Sequence, residues 1–171
     1  MDMAANTFNV VGCRRKQLMP ALLGYDDAAA ATDIYSSDIG RLTRQTSNGH
    51  VLMKGGSSYS TSLISGIVAQ VPTATTSGST IMFYIQKLDP NELVEGTYST
   101  LYSTVHPGTT DIGKYIGLST AATVAGAVFD VDNMGNAPGT SDARWCKLMG
   151  FSTNRRKIWG FPVINSSCIA W

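Results

Sequence analysis

From Ile34 onward, apolar and polar positions alternate in short runs that return about every ten residues, each closed off by Gly, Asn, Asp, Ser or Pro. This is the rhythm of an all-β chain, an antiparallel β-sandwich or barrel of jelly-roll-like form. Residues 41–46 and 50–54 flank Ser47, Asn48 and Gly49, where Asn and Gly supply the positive φ that a tight hairpin needs. Residues 80–88 place Ile81, Phe83 and Ile85 on one face and Met82 and Tyr84 on the other. With both faces at least partly covered, that strand needs a second layer or a partner subunit. Further strands are expected over 97–105, 113–119, 124–132, 145–151 and 157–163, the last with Trp159, Phe161 and Val163 on one face. A polar turn at 152–156 joins the final two, and 133–142, with Gly135, Pro138 and Gly139, reads as a long loop. No internal repeat is read from the chain.

The first 33 residues differ in character. Arg14, Arg15 and Lys16 stand together, Pro20 follows, and Ala28 to Ala31 sit between Asp27 and Thr32. This stretch is expected to be an extended N-terminal arm, ahead of a single β-rich domain over 34–171. A short helix over 26–31 is possible because alanine favours it, yet six residues alone cannot overcome the cost of nucleation. At the other end, Cys168, Ile169, Ala170 and Trp171 carry no charge to solvate them. An apolar tail of this kind is tied down or serves as a contact surface for another chain. Trp159, Ile169 and Trp171 are therefore the candidates for an oligomer interface.

Composition narrows the function classes. A chain of 171 residues supports one ordinary domain with a real core. Charged residues are only 15% of it, and from Gly55 to Gln86 there are 32 residues without Asp, Glu, Lys, Arg or His. That distribution reads as structural rather than catalytic, and no enzyme activity is expected. A net charge of +1 sets up no global field that would attract nucleic acid or an anionic membrane. The most apolar run, 63–71, is too short to span a bilayer, and the first residues do not read as a secretory signal. Cys13, Cys146 and Cys168 are odd in number and widely spaced, so reduced, partly buried thiols are expected rather than a disulfide framework.

Near-motifs fail at their chemically essential places. GTTDIGKY, residues 108–115, approaches a phosphate-binding loop, but Tyr115 stands where a hydroxyl would meet magnesium and Pro107 precedes it instead of a buried strand. An ordinary loop-to-strand transition is the expectation. Asp130, Asp132, Asn133 and Gly135 hint at a calcium loop, but Met134 and Ser141 occupy ligand places. His50 and His106 belong to no ligand pattern, so no metal or cofactor is expected. Arg14, Arg15 and Lys16, with Arg155, Arg156 and Lys157, concentrate six of the thirteen basic residues. Arg14, Arg15, Lys16, Arg155 and Arg156 are the candidate partner-binding residues, against the plainer reading of a solvated arm and hairpin tip.

The stretch DIGKYIGLSTAATVAGAVFDVDNMG, followed by RWCKLMGFSTNRRKIWGFPV, resembles the small decoration or cement proteins of tailed bacteriophage heads. The resemblance covers roughly the C-terminal third. It implies a β-rich subunit, often a homotrimer, made in the host cytoplasm and seated on the outside of the virion, where it clamps neighbouring copies of the major capsid protein. The alternative is a β-sandwich carbohydrate- or receptor-binding module of a phage fibre, with Tyr59, Tyr98, Tyr102 or Trp145 as a stacking platform.

Overall fold

The computed structural model describes residues 7–12, 17–24, 33–53, 64–74, 82–99, 106–118, 127–139 and 144–163. In chain order the strands are β1 (Phe8–Val11), β2 (Leu18–Leu22), β3 (Leu42–Thr46), β4 (Gly49–Leu52), β5 (Ile64–Gln70), β6 (Met82–Gln86), β7 (Leu93–Ser99), β8 (Tyr115–Leu118), β9 (Phe129–Gly135), β10 (Cys146–Ser152) and β11 (Lys157–Pro162). Two single 3₁₀ turns, Ser36–Asp38 and Thr109–Asp111, lead into β3 and β8. The all-β sandwich-or-barrel expectation holds.

One sheet runs β2-β6-β5-β3-β4, all antiparallel. Its two ends meet at a parallel bridge between Leu23 and His50, where the Gly24 N–H donates to the His50 carbonyl at 2.9 Å. The other runs β7-β11-β10-β8-β9 and closes through a parallel pairing of β7 with β9, Tyr98 opposite Phe129, with β1 added along β7. The two rings share one strand order, one set of directions and one parallel closure.

The registers match at several corresponding pairs, although the β8–β9 ladder carries an irregularity that the β3–β4 ladder lacks. Thr43 pairs with Gly66 as Ile116 pairs with Cys146, and Gln45 with His50 as Leu118 with Phe129. Val68 pairs with Ile85 as Leu148 with Gly160. Each of these last ladders then skips a residue at the same point, between Val68 and Gln70 and between Leu148 and Gly150. A bulge is a local, sequence-specific insertion, so its recurrence at one register position marks an internal duplication. The second half repeats the fold of the first, contrary to the sequence expectation of no repeat.

Phe83, Ile85, Val68, Leu52, Ala21, Leu23 and Ile34 form one buried cluster inside the first ring. A larger cluster fills the second ring and extends onto the outside of the first, joining Phe129, Trp145, Leu148 and Ile158 to Leu42, Met53, Ile64 and Ile67. The halves are thus joined by apolar burial, worth roughly 1.5–3 kcal/mol per large side chain, and by hydrogen bonds from Ala127 N–H to Met53 O and from Phe8 N–H to Gly40 O. At its centre Phe8 meets Phe129 edge-on with centroids 5.1 Å apart, and Phe129 stacks on Trp145 at 5.4 Å. Gly96 makes this possible, because a Cβ there would collide with both the Phe8 and Phe129 rings.

Several expectations need correction. Of the expected arm, Phe8–Val11 and Leu18–Leu22 are strands, and Phe8, Val10, Ala21 and Leu23 are buried. The possible helix at 26–31 lies outside the described residues. β7 begins at Leu93 rather than 97, and β9 runs to Gly135 into the expected loop. The hairpin at 47–49 forms, but Asn48 keeps negative φ. It acts through its side chain, which accepts from Thr46 Oγ1 at 2.8 Å. The polar turn before β11 is present, with Arg156 at φ 51.

Candidate functional site

The duplication is most literal at the two turns, where Ser36-Ser37-Asp38-Ile39-Gly40-Arg41 and Thr109-Thr110-Asp111-Ile112-Gly113-Lys114 repeat one chemical pattern. In each, the aspartate caps the turn it ends. Asp38 Oδ2 accepts the Tyr35 N–H at 2.9 Å, and Asp111 Oδ2 accepts the Gly108 N–H at 2.8 Å. The second carboxylate oxygen takes the cation three residues on, Arg41 Nε at 2.9 Å and Lys114 Nζ at 2.8 Å. These contacts hold the Asp111 carboxyl below its ordinary range, the Lys114 hydrogen bond contributing most. Gly40 and Gly113 both sit at φ 90, a conformation that side-chain-bearing residues resist. Each glycine N–H then donates to the facing strand at 2.8 Å, to Val68 O in one half and Leu148 O in the other.

Asp, Gly and the basic residue thus have structural reasons to recur. The isoleucine does not, because Ile39 and Ile112 are 44% and 48% exposed. The same half-exposed apolar knob stands on both halves of the molecule. The phosphate-loop near-match is resolved here as an ordinary loop-to-strand transition, with its lysine tied to Asp111.

Polar side chains inside the first ring form a closed chain. Thr43 Oγ1 donates to Gly66 O at 3.2 Å and lies 2.9 Å from Ser65 Oγ, which lies 2.9 Å from His50 Nδ1. A carbonyl only accepts, so the Thr43 proton goes to Gly66 and the Ser65 proton to Thr43. His50 Nδ1 must then carry its own hydrogen. Burial lowers the His50 pKa, which keeps the ring neutral. Ser65 is buried and its proton is committed, the reverse of a serine activated by a base. His106 Nδ1 contacts the Tyr98 hydroxyl at 2.7 Å. Cys146 is a free thiol whose pKa burial drives far up, the opposite of an activated cysteine.

The remaining predicted residues are placed as follows. Arg155 and Arg156 are exposed at the β10–β11 hairpin tip. Arg14, Arg15, Lys16, Ile169 and Trp171 lie outside the described residues. Trp159 is half-buried, and its indole N–H donates to Glu95 Oε2 at 2.7 Å within the same chain. Tyr98 and Trp145 are buried in the core and cannot stack a sugar, which corrects the platform read from sequence; Tyr59 and Tyr102 lie outside the described residues. In the calcium-like stretch, Asp130 Oδ1 accepts the Asp132 N–H at 3.0 Å and Asn133 Oδ1 accepts from Arg144. Among the described residues no group of three or more His, Cys, Asp or Glu could hold a metal ion, and no helix is long and apolar enough to cross a membrane.

The paired turns escaped the sequence reading although their signal was present. SSDIGR and TTDIGK match at every position by identity or like chemistry, a match obscured by the unequal loops around them. No known protein family, curated protein or solved structure matches the chain.

Proposed function

We propose that this chain is a structural, non-catalytic virion protein that decorates and cements the outside of a phage capsid by bridging neighbouring copies of the coat protein. The observation that supports it most is the duplicated turn. A bridge between equivalent neighbours gains from carrying one contact twice, because the second engagement then occurs at high effective concentration. Ile39 and Ile112 supply such a pair of knobs on a rigid two-ring body. The polar side chains inside the first ring are consumed in structural hydrogen bonds, which suits a scaffold. Arg155 and Arg156 add a second, positively charged contact at the hairpin tip. In this reading the subunit also self-associates, as the trimer implied by the resemblance would.

The test is binding to particles stripped of the protein. Wild type re-adds in proportion to coat protein, and Ile39→Ser or Ile112→Ser each weakens re-addition about 10²-fold or more, the scale of avidity lost with one contact. Full binding by the double variant would defeat the bridging role of the turns.

A further inference from the structure

The two halves differ by one strand. Each ring closes with five strands, yet β1 is added along the edge of β7, and the corresponding edge of β2 carries no added strand among the described residues. The two edges are built differently. Tyr98 faces Phe129 across one parallel closure and Leu23 faces His50 across the other, so Glu95 of β7 answers to Pro20 of β2. The Tyr98 N–H donates to Arg156 O, just ahead of β11. Strand alternation then turns the Glu95 N–H the other way, towards β1, where Asn9 lies opposite. Phe8, opposite Gly96, accordingly gives its own N–H to Gly40 O at 2.7 Å. Pro20 has no N–H to offer at the corresponding place. The first edge is closed to strand addition, and the second is open to it.

β1 fills a socket as well as an edge. Phe8 and Val10 are buried, while Asn9 and Val11 between and beyond them are exposed. The Phe8 ring sits against Phe129 and Trp145, with centroids 5.1 and 6.1 Å away, over Gly96, where a Cβ would strike it. Strand-addition peptide sites are made this way: backbone bonds hold the segment, and pockets read alternate side chains. The hold of β1 itself is slight, because two buried side chains must offset the ordering of four residues at an edge. A short element near a chain end opens locally at less cost than the core strands.

We propose that the β7 edge is a peptide-binding groove. Its resident ligand is the chain's own β1, and an extended segment of another protein, carrying an aromatic residue and an aliphatic one two places on, takes the same seat. Such a partner is read by its strand-forming backbone and its apolar alternation, not by charge. The inference does not rest on the capsid reading.

The test supplies the strand in trans to the full chain. A fluorescent peptide with the sequence of residues 7–12 is titrated by anisotropy against wild type and against Phe8→Ala, and a second peptide has alanine in the Phe8 place. Circular dichroism reports the fold of the variant. The expected result is that wild type binds the first peptide and not the second. Phe8→Ala, whose own strand competes less for the seat, binds the first peptide about tenfold more tightly, because the groove is vacant in a larger fraction of molecules. A merely structural Phe8 would not produce that gain. Absence of binding to both chains, equal binding of the two peptides, or a variant that binds no better than wild type overturns the proposal. Should Phe8→Ala not fold, Val10→Ala is read in the same way.

Discussion

Gly113 and His50 illustrate how single residues carry different parts of the architecture. At Gly113 the turn needs φ 90 and the space around a Cβ is open, so Gly113→Ala isolates backbone strain from crowding. A cost of about 1–3 kcal/mol is expected, read as a lowered denaturant midpoint, with Gly150→Ala as a nearly neutral control because a Cβ there meets only Trp159 at 3.6 Å. Equal midpoints for the two would contradict the turn's geometry. His50 makes a pH prediction. Its folded pKa lies below the ordinary 6.5 because burial disfavours the charged ring. Above pH 6.5 both folded and unfolded states are neutral there and its contribution is intact. As pH falls below 6.5 the unfolded chain takes the proton first, so stability declines until the folded ring titrates too. An NMR titration of the His50 ring should give a midpoint below 6.5, with Nδ1 as the protonated nitrogen; a midpoint above 6.5 would contradict it. The sequence reading placed His50 in no ligand pattern but could not supply its partners, since Thr43 and Ser65 are brought to it only through strand pairing.

At the scale of elements, the strand rhythm was legible wherever turn residues bounded it. The 47–49 hairpin and the 152–156 turn formed because Asn, Gly and Ser end the runs beside them. Edges were less legible: β7 starts at Leu93 because its pairing with β1 and β11, not local punctuation, sets its length. The apparent arm became two strands for a similar reason, as Phe8 and Ala21 are held by partners far along the chain. The capped turns carry their own test. Asp111 is held below its ordinary 3.8 by Lys114 and the Gly108 N–H. Its stabilisation is present above pH 3.8 and is lost as pH falls through the folded value. Asp111→Asn should therefore lower stability near pH 7 by about 1 kcal/mol, as a lost cap does. The difference from wild type should shrink towards zero as pH falls through the folded value, which lies below 3.8. A difference that persists unchanged in acid would remove the carboxylate's role.

The whole molecule is two copies of one five-stranded plan on a shared core, and this was the least legible feature. The repeated strands differ in nearly every side chain, Ala21 answering to Gly96 and His50 to Phe129, so only pairing registers and the Asp-Ile-Gly turns preserve the relation. Duplication turns a small β-protein into a body with two like contact points, and the functional proposal follows from that geometry. Quantifying the chain across density-gradient fractions of particles purified from its source tests the proposal most directly. The account predicts a fixed stoichiometric ratio to coat protein, lost when Ile39 and Ile112 are both serine. A chain found only in the free, particle-less fractions would contradict it.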